Sequence, residues 1–329
     1  MSEAVTPVAI GYFGKIPSRG DFVKASDNPA LLAQLDDWLA GAVDLMSADP
    51  AWKASYDAAA PLHVAILGPR RRHAIAGHVV ASADQSGRRF PFLMMAALPV
   101  AEPIAFVPAA PLILNRLWSR IETLVRDLVA TDDATAQLQA ANGTTIDVDL
   151  RAAAYDAAFA DFADLQTIGA LQAMLAQAGH AGATVRQVLL ALGMLLQPVL
   201  ASSVSRLDKS LVLPLPADPL YRGLTAAYWM HAIAPFLMRA DFELALFVTR
   251  LDARPCLVLG FTGASPQTLH AIMDPRTGEA HHIAFDHLDW VEDEVDADYG
   301  IKKMSTRLQQ PDLPLGAALE MLAATFIGS

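Results

Sequence analysis

Short apolar runs alternate along this chain with stretches in which apolar residues recur every three or four positions, so strands and helices are expected to intermix. Residues 8–13, bounded by Pro7 and Gly14, form the first expected strand. A helix should follow, with Asp27 or Asn28 able to cap it and Pro29 suited to its first turn. Leu31, Leu35, Trp38, Leu39, Ala42 and Met46 then share one helical face, while Asp36, Asp37 and Asp44 point elsewhere. Residues 62–67, 75–81 and 92–98 read as three further strands. Pro99, Pro103, Pro108 and Pro111 predict a loop, and a long amphipathic helix is expected beyond it on Ile113, Leu117, Ile121, Leu124, Val125 and Leu128.

The stretch from about 131 to 183 shifts to alanine and aspartate, with helices expected over 152–165 and 168–177. That shift places a boundary near residue 135. It divides an N-terminal α/β domain, residues 1–135, from a helical segment and C-terminal α/β portion, residues 136–329. Periodicity then predicts a strand at 210–215, a helix at 220–238, paired strands at 244–249 and 256–261, and helices at 266–272 and 315–326. Neither repeats nor a low-complexity linker is seen, so the two regions are expected to pack together. The mixed order favours a layered α/β arrangement with additional helices in the middle and toward the C-terminus.

Composition narrows the function. Apolar residues make up 53% of the 329, enough for a sizeable core rather than a disordered chain. Net charge is -11, and the one dense basic run, Arg70-Arg71-Arg72-His73, reads as a solvated turn between strands, so no nucleic acid is expected as a partner. The apolar stretch within 185–204 is broken by charged and polar residues and is too short for a membrane span, so a buried helix is expected and no membrane insertion. Residues 1–7 carry no basic stretch leading into an apolar run, so no secretory leader is expected. The single cysteine, Cys256, excludes an internal disulfide and reads as a buried small hydrophobe.

Two segments concentrate the chemistry. Residues 11–22, Gly-Tyr-Phe-Gly-Lys-Ile-Pro-Ser-Arg-Gly-Asp-Phe, put a glycine-rich loop after a strand. Only Tyr12 and Phe13 separate Gly11 from Gly14-Lys15, Ile16 stands where a phosphate loop needs Ser or Thr, and Pro17 removes an amide donor, so nucleotide binding is disfavoured. Residues 82–91, Ser-Ala-Asp-Gln-Ser-Gly-Arg-Arg-Phe-Pro, form a turn between strands, with Asp84 and Gly87 as turn formers. Arg88 and Arg89 could pair with Asp84 or Asp21 and lock the two loops together; an Asp21–Arg88 pair is one such geometry, and Phe22 and Phe90 are expected to anchor the loop ends in the core. His281, His282, Asp286, His287 and Asp289 have metal-ligand residue types without metal-ligand spacing and read as a solvated polar edge. His63, His73 and His78 lie on two neighbouring strands, where two could meet. Ser82 and Ser86 lie outside any nucleophile elbow.

Taken together, Gly11, Gly14, Lys15, Pro17, Gly20, Asp21 and Phe22, then Trp38, Trp52 and Tyr56, then Ser82, Asp84, Gly87, Arg88, Phe90 and Pro91 resemble the TagF family of type VI secretion-associated proteins. The resemblance covers roughly residues 8–130, with a weaker likeness over 210–260 through Leu213-Pro214-Leu215 and Tyr228-Trp229. It implies a three-layer α/β/α sandwich and a cytoplasmic accessory regulator without enzymatic activity or cofactor. It also implies post-translational repression of secretion by engagement of a forkhead-associated scaffold protein. An enzyme using the Lys15 loop and a structural subunit of the secretion apparatus are the alternatives.

Overall fold

The computed structural model describes residues 5–26, 28–182, 184–201, 207–286, 288–296 and 298–328. The Asp27 cap and His287 fall outside them.

The first strand, β1 (Thr6–Gly14), is followed by a short β2 (Val23–Ala25), α1 (Pro29–Ser47) and α2 (Trp52–Ala58). Asn28 caps α1 by accepting from the Leu31 N–H at 3.0 Å, with Pro29 at the first helical position, and all six residues of the expected stripe are buried. Then come β3 (Leu62–Leu67), β4 (His73–Val80) and β5 (Phe92–Pro99). The arginine run between β3 and β4 is an exposed turn.

The proline-marked loop is not there. Helix α3 (Pro103–Val129) begins at Pro103 and carries Pro108 and Pro111 inside it. Pro103 sits where its missing N–H is unneeded. Each interior proline costs about 3 kcal/mol or more. The same turns bury Phe106, Val107, Ile113 and Leu114 to 2% exposure or less, at about 1.5–3 kcal/mol each, which outweighs that cost.

Beyond α3 lie α4 (Thr135–Asn142), β6 (Thr145–Val148), a 3-10 turn at Ala152–Ala154, α5 (Asp156–Leu165), α6 (Ile168–Gln177) and α7 (Val185–Ala201). The expected helix over 152–165 is thus split at Tyr155. Next are β7 (Ser210–Pro214), α8 (Pro219–Leu237), β8 (Leu244–Leu251), β9 (Arg254–Gly260) and α9 (Pro266–Met273). The chain finishes with a second 3-10 turn at Pro275–Thr277, then α10 (Gly278–His281), β10 (His282–Ala284), α11 (Trp290–Val295), α12 (Tyr299–Leu308) and α13 (Leu315–Phe326). No helix among the described residues is long and apolar enough to cross a membrane.

The ten strands among the described residues join one sheet in the order β10-β7-β9-β8-β3-β4-β5-β1-β2, with β6 also paired to β1. Every pairing is antiparallel except β10 with β7. The sheet crosses residue 135 twice, through β3 with β8 and β1 with β6.

Helices cover both faces. One face packs on α1 and α9 through Leu35, Trp38, Leu39, Leu269 and Ile272. The other carries α3, α7, α8 and α13 through Ile113, Leu117, Leu189, Trp229 and Leu322. The architecture is the α/β/α sandwich, with α5, α6, α12 and α13 thickening one side.

Candidate functional site

Strand β1 runs out at Gly14, whose φ is +133°. A Cβ there would stand 2.1 Å from the Pro91 carbonyl oxygen, so only glycine lets β1 pass this close to the second loop. Lys15 therefore leaves the strand pointing at Asp84. Its Nζ lies 3.0 Å from Asp84 Oδ2, and the pair is shut off from solvent, at 9% and 0% side-chain exposure. The same ammonium sits 4.9 Å from the Phe22 ring centre.

Asp84 is the knot of the site. Its Oδ1 accepts from the Ser86 N–H, the Ser86 hydroxyl and the Arg88 N–H. Its Oδ2 accepts from Lys15 Nζ and, at 2.7 Å, from Arg88 Nε. Burial pushes this carboxyl up, but the bonds from Ser86, the Arg88 amide, Lys15 and the Arg88 side chain outweigh it and hold Asp84 well below the usual carboxylate range. Gly87, at φ +78°, closes the turn by donating to the Asp84 carbonyl at 2.8 Å. Two more bonds tie the loops together: Gln85 N–H to the Arg19 carbonyl at 2.8 Å, and Arg88 Nη2 to the Gly20 carbonyl at 2.7 Å.

One carboxylate faces two cations here, so the knot carries a surplus positive charge. The surplus is displayed on Arg88, whose side chain remains 62% exposed. Beside it Phe22 lies 41% exposed, stacked on Phe13 at 5.5 Å and edge-on to Phe90 at 4.8 Å. Pro17, Gly20, Asp21, Gln85, Ser86 and Gly87 complete an exposed rim.

The structure brings Gly14, Lys15, Pro17, Gly20, Phe22, Ser82, Asp84, Gly87, Arg88, Phe90 and Pro91 to one end of the sheet. Asp21 is there but does not meet Arg88: its Oδ1 accepts from the Phe22 N–H at 2.8 Å. Asp84 holds Arg88 instead, because an Asx turn places that arginine four residues on, beside the carboxylate. Phe22 is not a core anchor either; it caps Phe13 and Phe90 from outside.

Trp38 lies apart, on the buried face of α1, with its Nε1 donating to the Ser265 carbonyl at 3.2 Å. Three partners went unforeseen: Ser86 on Asp84, Arg19 on Thr135 of α4, and Asp57, which grips Arg89 through two bonds of 2.7 and 2.5 Å. The spacing Asp-x-Ser-x-Arg is a usable signal for the first. Tyr56 is locked into the second loop, its hydroxyl bonded to both the N–H and the carbonyl of Ser82.

Elsewhere, His63 and His78 do meet across β3 and β4, Nδ1 to Nδ1 at 3.1 Å. His63 stacks on Trp118 at 5.4 Å, and its Nε2 lies 3.6 Å from Glu122. Burial lowers both, to about 3 for His63 and about 4 for His78.

The expected polar edge at 281–289 is not solvated throughout. His282 is buried with its Nδ1 2.6 Å from the Ser210 hydroxyl, and Asp286 bridges Arg254 at 2.8 Å and His180 at 3.5 Å. Strand β10 draws His282 inward beside β7. Cys256 is buried, and burial pushes its thiol up to about 12. No group of three or more His, Cys, Asp or Glu among the described residues could hold a metal ion.

A single α/β/α sandwich whose two motif loops are knotted by one carboxylate is the class the geometry defines. Residues 11–143 match the TagF N-terminal domain, Type VI secretion system-associated, and over this segment the chain is similar to that family. The match spans both loops and ends at the tip of α4. PA0076 from Pseudomonas aeruginosa PAO1, known as a crystal structure, is 26% identical over 41% of this chain and 62% of that one, with a TM-score of 0.36. The chain thus spans less than two thirds of that relative's length. No curated protein matches.

Proposed function

We propose that this protein is a cytoplasmic accessory regulator of type VI secretion that works by docking a partner, not by a covalent reaction. The observation that carries the reading is the Asp84 knot. It spends Lys15 on an internal ion pair and presents Arg88 and Phe22 on a pre-formed rim. A rigid rim that offers one cation beside one aromatic ring suits protein recognition, where arginine and aromatic residues supply most of the binding energy. Lys15 bound to Asp84 supports docking over the nucleotide-loop alternative. The partner is a forkhead-associated scaffold protein of the secretion apparatus, and the effect is post-translational repression.

The test is effector secretion in cells that lack or overproduce the protein, with co-precipitation of the scaffold. Overproduced wild type should silence secretion and retain the scaffold, and Arg88→Ala should release both. Secretion unchanged by deletion and by overproduction would overturn the regulator reading.

A further inference from the structure

The rim borders an open sheet edge. Strand β2 pairs with β1 in the register Tyr12↔Ala25, Phe13↔Lys24 and Gly14↔Val23. The Ile10 N–H donates to Thr144 on this same side of β1, so by alternation Tyr12 and Gly14 also turn their main-chain groups toward β2. Val23 and Ala25 therefore bond inward, and Lys24 turns its N–H and carbonyl outward. The Ala25 carbonyl agrees: it lies 2.9 Å from where a Gly11 Cβ would stand. Among the described residues no strand pairs with the outer side of β2, and no hydrogen bond reaches the Lys24 main chain there.

We propose that β2 is a docking edge that takes an extended acidic segment of the partner protein as a further strand of the sheet. The inference rests on the docking reading above and adds its mode. Unpaired main-chain groups in a strand call for another extended backbone rather than a helix or a small molecule.

The side chains set the chemistry. Phe22 and Lys24 are two positions apart and so share a face of the sheet. Phe22 offers exposed ring surface, and Lys24 makes no ion pair among the described residues, although Asp36 of α1 senses its charge. Arg88 adds the surplus charge of the knot. A segment with an apolar residue opposite Phe22 and a carboxylate two positions along, opposite Lys24, matches this pattern. Val23 and Ala25 turn to the other face, half-buried against the core, and hold β2 in place as the new strand forms.

Lys24→Pro separates this mode from any other contact. Proline is tolerated on an edge strand where the N–H faces outward, and it removes the one donor that strand addition needs. Lys24→Ala removes the charge and keeps the donor.

The full-length chain is titrated with the forkhead-associated scaffold protein, and exchange of the Lys24 amide is followed in the complex. Strand addition predicts a loss of at least about tenfold in affinity for Lys24→Pro. It also predicts a loss within a few-fold for Lys24→Ala, and slowed exchange at Lys24 in the wild-type complex. Equal binding by the two variants, or unchanged exchange at Lys24 in a formed complex, overturns strand addition and leaves the docking rim standing. No binding by wild type overturns both. The exchange measurement uses wild type, so it decides the question even if Lys24→Pro folds poorly.

Discussion

Two buried polar clusters sit on the same sheet and solve opposite problems. At the motif end, Asp84 is buried as a charge, and five hydrogen bonds with two cations keep it charged. In the middle of the sheet, the half-buried His63 and the buried His78 are held as neutral rings, and their 3.1 Å contact leaves room for one proton between them. Glu122 lies 3.6 Å from the far nitrogen of His63, and a proton held there would leave His78 as the donor of the shared bond. The lesson is that a buried ionisable group survives either by saturation or by neutrality. Only the saturated cluster leaves a cation at the surface for a partner to find.

Removing the saturated acceptor should hurt most. Asp84→Ala leaves Lys15 buried without its partner and releases both loops. A drop in Tm of roughly 5 °C or more is expected in a thermal melt, with faster proteolysis of residues 15–22 and 82–91. A drop under about 1 °C would show that the knot is ornamental and would erase the contrast.

The neutral cluster should answer to pH. In the folded state His63 and His78 titrate near 3 and 4, against 6.5 when unfolded. Between those values the unfolded chain binds more protons, so stability falls as pH drops from about 7 toward 4. Unfolding in that window should take up to about two protons through this pair, and His63→Phe with His78→Phe should flatten the fall. Asp84 works in a lower window. Its depressed carboxyl adds stability that is complete above the unfolded value and is lost only as pH sinks below about 3.8 toward its folded value. Coincident loss of both contributions in a pH series of melts would break the distinction.

Smaller effects sharpen it. Lys15→Met fills the same space without charge and leaves Asp84 its other four bonds, so Tm should fall by only about 1–3 °C. Arg88→Ala should be smallest for stability, with Tm within about 1 °C of wild type, because most of that side chain lies in solvent. Its effect should appear in scaffold binding instead.

Much of the fold could be read in advance where one physical signal dominates. The α1 stripe, its Asn28 cap, the β8–β9 pair and α13 all follow from unbroken periodicity or capping chemistry. The failures have particular causes. In α3 tertiary burial overrode two prolines. Strands β2, β6 and β10, of three or four residues, are too short to show a period, and their pairing supplies what propensity does not. Helix α12 buries Met304 and Leu308 but follows an acidic run that hides its stripe.

At the site, the meeting of the Lys15 and Arg88 loops was legible, and so was Asp84 as a partner of Arg88. The idle role of Asp21 was not. A side chain that bonds its neighbour's N–H leaves no mark in spacing that tells it from one that reaches across.

The seam between β3 and β8 bears on anyone who would work with the recognisable segment alone. Cut free at residue 143, the chain would lose β8 from one side of β3 and β6 from one side of β1. The long apolar rim so bared, His63 to Leu67, would be a template for self-association. A truncated preparation should therefore clump, or need a solubilising fusion, for reasons unrelated to its biological partner.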